Sequence, residues 1–456
     1  MVLSRLADVT STLPRSTGRR APALQAAGWG LVSAVVLLVL GMAVPTVTGW
    51  NVRVQHFPPL HADWDPRVNW STLGALALGV LACHYATDLA ERLPWSRLLL
   101  ATFAGGLLWM LALAFVDGSH GVSEVLGTPY EYLRTARRTT DLHATLQEFV
   151  ARIPYAMIPN NWPVHVAGHP PGALLFFVVL VRLDLGSGFA AGMIVTGMAA
   201  TTAVAVLVTV RTLGAEGLAR RAAPFLTFGP AAIWQAVSAD AMFAAVAAWG
   251  IACLALAATR RSVGFSVLSG LLLGYAVLLS YGLPLLAVLA VAVLVVARTA
   301  FPLAIVIASA LVVPVAFALY GYSYLEALPA IHERYWEAVG GRRPLAYWVW
   351  GNLSALAFSA GPLAFAGAAH VAAGARSLLR DPAGRVLVWV SGAGVAMILL
   401  ADASGMSKAE VERIWLPFVP WMLLSCALLP RRWRRSGLVL QVGFALVVQH
   451  LLFTGW

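Results

Sequence analysis

Charged residues are scarce in this chain. They make up 11% of its 456 residues, whereas a soluble domain carries roughly 25%. Hydrophobic residues make up 60%, and the mean hydropathy is +0.79. This composition excludes an ordinary soluble domain and predicts an all-α, polytopic integral membrane protein.

Cysteine and lysine are also rare. The three cysteines, Cys83, Cys253 and Cys426, lie in or near hydrophobic runs, and their spacing offers neither a disulfide framework nor a metal site. Lys408 is the single lysine. The net charge of +11 would suggest a nucleic-acid partner in a soluble protein. In a membrane protein it indicates arginine-rich cytoplasmic loops, so the bilayer is the expected partner and nucleic acid is not.

Hydrophobic runs long enough to cross a bilayer recur along the whole sequence. We expect a polar cytoplasmic tail (1–25), a three-span segment (26–116), a central module (117–322) with a loop at 117–172, and a C-terminal part (323–456). The predicted spans number about thirteen: 28–48, 71–89, 98–116, 187–210, 222–238, 240–259, 263–279, 283–297, 300–321, 349–374, 386–401, 414–430 and 436–455.

The apolar run 172–185 decides the topology. It is shorter than the roughly 20 residues that a span needs and contains Arg182 and Asp184. If it does not cross, most arginines of the later loops lie on the cytoplasmic side; if it does, the bias inverts. The positive-inside rule therefore predicts a non-spanning helix, a cytoplasmic N-terminus and an external loop 117–172 in a plasma-membrane protein.

The loop 117–172 holds more ionisable residues than any other segment and ends in Gly168-His169-Pro170-Pro171-Gly172. A membrane protein concentrates such groups where they act, so we interpret the loop as one wall of an active site. Within it, Leu142, Leu146, Phe149, Val150 and Ile153 recur at helical spacing. That pattern predicts an amphipathic helix that lies on the membrane surface or packs on the loop's own core.

On this topology the polar candidates form one rim on one membrane face. They are Asp63, Asp65, Asp117, His169, Asp240, the turn 280–282, His332, Arg334, Lys408 and Arg413.

This arrangement resembles the class C (GT-C) glycosyltransferases, which take sugars from polyprenyl-phosphate donors on the external face. The resemblance rests on a carboxylate after a span, a juxtamembrane helix, His169-Pro170-Pro171 entering a short helix, Ser238-Ala239-Asp240 at a hairpin tip, and the stretch 412–418 opening a late span. It covers residues 100–300 well and the last quarter loosely. In that family the carboxylate usually follows the first span, whereas Asp117 follows the third. Either two spans were added, or the acidic role belongs to Asp63 and Asp65.

Transfer to a hydroxyl needs a base, for which Asp117, at the end of an apolar span, is the first candidate and Asp63 with Asp65 the alternative. Asp63 and Asp65 are also spaced like a metal-binding pair, which leaves a divalent cation (Mg or Mn) open, although Asp-Trp-Asp-Pro is ordinary turn chemistry too.

The leaving lipid phosphate needs positive charge. We expect His169, Arg413 and Lys408 near the phosphate, although Glu410 or Glu412 could instead pair with the two cations. Asp240 would orient the donor or cap a helix, and His332 and Arg334 would contact the acceptor.

The sequence thus predicts a glycosyltransferase that moves a sugar from polyprenyl phosphate to an envelope glycan, glycolipid or protein. The composition of the chain is rich in Ala, Leu, Val and Arg, which suggests a protein of an actinobacterial-type envelope. Such an envelope favours mannose or arabinose as the sugar. The rivals are a transporter or lipid-linked-sugar flippase and a non-catalytic scaffold. A transporter predicts ionisable groups near the bilayer midplane, and a scaffold predicts no clustering of acid, histidine and cation.

Overall fold

The computed structural model describes residues 17–455. The chain is all-α and 77% helical, and its apolar helices indicate a multi-pass membrane protein. Of the predicted tail, residues 1–16 lie outside the described residues, and 17–25 are already helical because the first helix begins at Thr17.

The helices follow one another in four groups. The N-terminal group is α1 (Thr17–Thr48), α2 (Trp70–Arg92) and α3 (Trp95–Ala114). The polar segment carries α4 (His120–Ser123), α5 (Tyr132–Arg138), α6 (Leu142–Glu148), α7 (Val164–Gly168) and α8 (Pro171–Arg182). The central group is α9 (Gly188–Thr212), α10 (Glu216–Thr227), α11 (Ala232–Gln235), α12 (Ala239–Arg260), α13 (Val263–Val277), α14 (Leu286–Ala297) and α15 (Leu303–Leu319). The last group is α16 (Tyr324–Glu337), α17 (Val339–Arg342), α18 (Leu345–Ser359), α19 (Pro362–Leu378), α20 (Pro382–Ala403), α21 (Val411–Ile414), α22 (Val419–Leu423) and α23 (Arg431–Leu451).

Two short strands join the beginning and the end of the chain. β1 (Asp63–Trp64) pairs antiparallel with β2 (Leu452–Phe453), so that Asp63 lies opposite Phe453. This bridge fixes the loop before α2 against the C-terminal end of α23.

The predicted count of about thirteen spans is not confirmed. Within residues 17–455, six helices are long and apolar enough to cross a membrane, or up to eight if each of two bent pairs is one span. The predicted span 349–374 is broken into α18 and α19, which meet at 107°. The break falls at Gly361, whose φ of 76° is a left-handed value that favours glycine, followed by Pro362. Other predicted spans, such as 263–279 and 414–430, contain shorter apolar helices.

The short helix predicted after the His-Pro-Pro-Gly turn is α8. Its 12 residues reach about 18 Å, which is less than the roughly 30 Å of a bilayer core. Pro170 and Pro171 supply the extended cap and the first helical residue. Gly172 is required by close approach, because a Cβ there would stand 2.5 Å from the carbonyl oxygen of Leu278.

The apolar side chains of the pattern 142–153, which begins in α6 and continues beyond it, pack inward rather than against lipid alone. Leu146, Phe149 and Ile153 are buried, and Phe149 contacts the rings of Trp162 and Tyr322. The structure therefore favours packing on the loop's own core. In addition, α1 packs mainly against α18 and α19.

The bundle has two polar ends. At one end, which we call the arginine end, Arg431 and Arg435 pair with Asp88, and Arg211 pairs with Glu216. The opposite end, which we call the network end, holds the start of α12, the polar segment and the loop before α21. The helices α2, α3 and α23 run between the two ends. One terminus of each helix lies among contacts of the arginine end, and the other terminus lies among contacts of the network end.

Candidate active site

Arg413 lies at the centre of a buried charged network at the network end. Its guanidinium donates to Asp240 Oδ2 (2.5 Å) and Glu410 Oε2 (2.7 Å), and Nη2 lies 3.0 Å from His165 Nε2. The side chains of Arg413 and Asp240 are only 7% and 5% exposed. One guanidinium therefore joins α21, the first turn of α12 and the polar segment.

A strained turn presents Asp240 to this network. Val237 has a φ of 57°, which is a genuine outlier for a β-branched residue. Its N–H donates to Thr196 Oγ1 (3.0 Å), which fixes the turn against α9. Ser238 then caps α12 by accepting from the N–H of Asp240 (3.2 Å). Left-handed backbone of this kind persists only where its surroundings hold it, and it is enriched at functional sites.

A second strained turn presents Glu410. Ala409 and Glu410 have φ values of 68° and 60°, two consecutive left-handed residues without glycine. Asn352 anchors this turn, since Oδ1 accepts from the Ala409 N–H (3.1 Å) and Nδ2 donates to the Ser407 carbonyl (2.7 Å).

The polar segment contributes two imidazoles. His165 Nδ1 lies 2.6 Å from Glu131 Oε1, and both side chains are buried. His169 Nδ1 lies 2.8 Å from the Tyr132 hydroxyl, and its Nε2 faces Asp240 Oδ1 at 3.9 Å. Burial lowers the pKa of His169 despite the nearby Asp240, so its imidazole is neutral at pH 7.

A second cationic layer surrounds Glu410. Arg343 Nη2 lies 3.4 Å from Glu410 Oε1 and 2.5 Å from His61 Nε2, and Arg343 Nη1 donates to the Lys408 carbonyl. Burial alone would raise the pKa of Glu410, yet Arg413 and Arg343 hold it well below its usual range. Glu410 therefore stays ionised at every physiological pH.

Glu412 has the opposite electrostatic state. It is fully buried, and neither carboxyl oxygen has a hydrogen-bond partner among the described residues. Burial, followed by the charge of Glu410, raises the pKa of Glu412 to about 8. This carboxyl is consequently protonated at neutral pH.

An open cavity of about 660 Å³ lies at the network end, and its lining residues are separate from the network side chains described above. Its wall includes Asp65, Arg67 and Asp117. Asp117 accepts from Arg67 and from Gln449 Nε2 (3.2 Å).

The cavity lies one turn away from the network. Thr128 also lines the cavity, and its carbonyl accepts from the N–H of Glu131 (3.3 Å), the partner of His165. A hydrogen-bonded turn keeps the Cα atoms of its first and fourth residues within about 7 Å. This turn thus connects the cavity wall at Thr128 to the segment that carries Glu131.

Six of the predicted site residues fall into three groups. His169, Asp240 and Arg413 are brought together. Asp117 and Asp65 lie on the cavity wall, and no contact among residues 17–455 joins Asp117 to the first group. Asp63 pairs with the exposed His56 (2.5 Å), outside the cavity wall.

The remaining predicted residues have local structural contacts. Lys408 Nζ donates to the carbonyls of Gly340 and Arg343 (3.3 Å each) and lies over Trp336. Arg334 is buried and donates to the carbonyls of Ile153 and Trp162. His332 lies beside Trp336. Of the two possible acidic partners of Arg413, Glu410 is the one in contact.

Sequence reasoning assigned no role to Glu131, His165, Arg343 or His61. Their contacts span 34 residues (His165–Glu131) to 282 residues (Arg343–His61) of chain. The one available signal for Glu131 and His165 was their place in the ionisable stretch 117–172.

In the part of the chain that the structure describes, no group of three or more His, Cys, Asp or Glu side chains is arranged to hold a metal ion. Asp63 and Asp65 instead face His56 and Arg67. No protein-family model matches the chain, and no curated protein matches it either.

Proposed function

We propose that this chain is a membrane glycosyltransferase that moves a sugar from a polyprenyl-phosphate donor to a hydroxyl acceptor. The observation that carries the proposal is the buried acid, imidazole and guanidinium network centred on Arg413, one turn from a cavity with its own carboxylates. Burying several charges is costly in any protein, so their retention at one end of a membrane bundle favours a functional site.

The network suits the donor side of such a reaction. A departing lipid phosphate develops negative charge, which Arg413 and Arg343 are placed to stabilise. Asp240 holds Arg413 in position, and neutral His169 is able to donate or accept a hydrogen bond.

The cavity suits the acceptor. Asp117 on its wall is the proposed base for the attacking hydroxyl, with Asp65 as the alternative on the same wall. Asp63 pairs with His56 outside the cavity wall, so it is a weaker candidate for the base than Asp65. Arg67 donates to Asp117 and would keep its carboxylate oriented.

The remaining details follow from topology and composition. The positive-inside bias favours an active site on the external face of the plasma membrane and a cytoplasmic N-terminus. The acceptor would be an envelope glycan, a glycolipid or a protein, and the sugar of mannose or arabinose type. The GT-C likeness of the His169-Pro170-Pro171 entry to α8 supports the same assignment.

A transporter or lipid-linked-sugar flippase is the alternative. Transporters place ionisable groups near the bilayer midplane. In residues 17–455, the ion pairs lie at or beyond the ends of the candidate spans, for example Arg413–Asp240 at the start of α12 and Arg435–Asp88 near the end of α2. This distribution favours chemistry at one rim over passage through the bundle.

The test is transfer of radiolabelled sugar from polyprenyl-phosphate donors in membranes that contain the overexpressed chain. Wild type, Asp117→Asn, Asp65→Asn and Asp63→Asn are compared with Asp88→Asn, a control at the arginine end. We expect donor-dependent incorporation that falls at least 100-fold in Asp117→Asn and is unchanged in Asp88→Asn.

Two further arms decide the alternatives. Loss of incorporation on chelation would assign a divalent cation, with Asp63 and Asp65 as its candidate ligands. Full activity in a triple variant that lacks the carboxylates of Asp117, Asp63 and Asp65 would show that none of the three is the base. Absence of transfer with every donor, together with donor flipping in reconstituted vesicles, would establish the alternative function.

A further inference from the structure

Three groups converge on the carboxylate of Glu410. Arg413 Nη2 lies 2.7 Å from Oε2, while Arg343 Nη2 and His61 Nε2 lie 3.4 Å and 3.7 Å from Oε1. The side chains of Arg413 and Arg343 are 7% and 5% exposed, whereas that of Glu410 is 22% exposed. The carboxylate therefore covers two buried arginines from a more exposed side, and we call the position that it occupies the cationic pocket.

The backbone that carries Glu410 is strained. Ala409 and Glu410 are both left-handed, and Glu410 is an N-cap residue whose side chain makes no capping hydrogen bond. Left-handed backbone is unfavourable for residues other than glycine. Asn352 anchors the turn on one side, and on the other the Glu410 carbonyl accepts from the N–H groups of Arg413 (3.2 Å) and Ile414 (3.0 Å). The backbone is therefore held on both sides, and the part of Glu410 that can move is its side chain, whose contacts with the two arginines another anion in the same place would replace.

The charge balance of the pocket specifies its ligand. Arg413 also faces Asp240, and Glu131 is one contact further away through His165. Glu410 contributes one negative charge, and a phosphate ester carries at least one. Exchange of one for the other keeps an anion beside Arg343, whereas a neutral ligand would leave Arg343 without an acidic contact among the described residues. Guanidinium groups also match the oxygens of a phosphate as well as those of a carboxylate.

We propose that Glu410 occupies the binding position of a phosphate ester, and that such a ligand displaces the Glu410 side chain to reach Arg343 and Arg413. The lipid identity of the ester rests on the proposed function, but the anion exchange itself does not require transfer. Glu410 is thus an internal competitor of the ligand, and the affinity of the pocket is lowered by the fraction of time that Glu410 fills it.

The proposal is tested by binding to the purified full chain in nanodiscs of neutral phosphatidylcholine. The probes are polyprenyl phosphate, the corresponding polyprenol and inorganic phosphate. Glu410→Gln keeps the shape of the side chain and removes its charge. We expect this variant to bind polyprenyl phosphate at least about tenfold more tightly than wild type, with no gain for polyprenol. The matched control is Glu148→Gln, which removes a half-exposed carboxylate paired with Arg152, and its affinities should be those of wild type.

The two phosphate probes separate the sources of the ligand. A gain for both assigns a general phosphate pocket, and a gain for polyprenyl phosphate alone assigns a lipid ester; each supports displacement of Glu410. Addition of Arg343→Gln to Glu410→Gln should abolish the gain. Equal or weaker binding of both phosphates by folded Glu410→Gln overturns the proposal, whether or not sugar transfer is detected.

Glu410→Asp keeps the proposal testable if the first variant does not fold. Its shorter side chain retains the charge but is less able to reach Arg343 and Arg413 together, so we expect an intermediate gain in affinity. A folded Glu410→Asp without that gain overturns the proposal as well.

Discussion

The two polar ends of the bundle use the same residue types in opposite ways. At the arginine end, Arg435 meets Asp88 at 2.8 Å with side chains 51% and 33% exposed, and Arg211 meets Glu216 at 2.8 Å in a similar setting. At the network end, Arg413 meets Asp240 at 2.5 Å and both side chains are buried. Contact distances alone would rank the ends as similar.

Burial changes what these pairs mean. An exposed pair gains little, because water and salt screen it. A buried pair must offset the removal of both charges from water, and apolar side chains of the same volume often serve stability as well or better. Membrane topology and the linking of neighbouring helices therefore explain the ion pairs of the arginine end. The network end needs another reason, and strained backbone at Val237, Ala409 and Glu410 in the same place supports a functional one.

The largest expected difference between the ends comes from removing one central cation. Arg413→Gln leaves the buried Asp240 and the partly buried Glu410 without their main counter-charge, so we expect a loss of about 3–5 kcal/mol in the free energy of unfolding and loss of any activity. Arg435→Gln should leave the melting temperature nearly unchanged. Unfolding in detergent, followed by tryptophan fluorescence, measures both.

A double variant refines that result. Asp240→Asn together with Arg413→Gln removes one charge of each sign and should be less destabilised than Arg413→Gln alone. Strictly additive losses would mean that the two side chains do not interact in the folded protein.

The pH dependence of stability offers an effect of similar size. Glu412 has a folded pKa of about 8, raised by burial, whereas an unfolded glutamate titrates near 4.3. Between these values the unfolded state loses a proton that the folded state keeps, so stability falls as pH rises from about 4.3 to about 8 and is constant above that. The total fall is up to about 5 kcal/mol.

Glu412→Gln removes this titration. Melting temperatures of wild type and variant, measured from pH 5 to pH 8.5, should converge at the acid limit and separate above it, with the variant more stable. Because the comparison is between two proteins, titration of His169 and of other groups cancels. Parallel curves across the whole range would show that Glu412 ionises normally.

A smaller effect is expected at the edge of the network. Glu131→Gln retains an acceptor for His165 but replaces a buried charged contact of 2.6 Å by a neutral one. We expect a loss of about 1–2 kcal/mol and, if transfer occurs, a shifted pH profile, because Glu131 positions His165 beside Arg413. Glu148→Gln, in the same polar segment but half-exposed, should change stability by less than about 0.5 kcal/mol.

Sequence patterns predicted the parts of the site that depend on local chemistry. Proline and glycine after His169 marked the entry to α8, and isolated polar groups beside apolar runs marked Asp240 and Arg413. The three were expected at one rim, and the structure brings them together.

Other features depend on contacts between distant segments and leave no local pattern. His165 and Arg413 are 248 residues apart, and buried Arg334 donates to backbone carbonyls of the polar segment. Hydropathy also passes smoothly across the break between α18 and α19, so one span was predicted where two helices meet at 107°. Gly361 and Pro362 were the local signal for that break.

The smallest prediction compares strained backbone at the two ends. Arg261, at the C-terminal cap of α12, has a φ of 52° in an exposed position at the arginine end. Arg261→Gly relieves the left-handed strain and loses only a distant contact with the Phe301 ring, so it should raise stability by about 0.3–1 kcal/mol. Val237→Gly relieves similar strain but removes a fully buried side chain that packs beside Gly192, and should lower stability by about 1 kcal/mol or more. Melting temperatures of the two variants against wild type should therefore shift in opposite directions. A rise in both would mean that the Val237 turn is held for its backbone alone and that its side chain contributes nothing to the placement of Asp240.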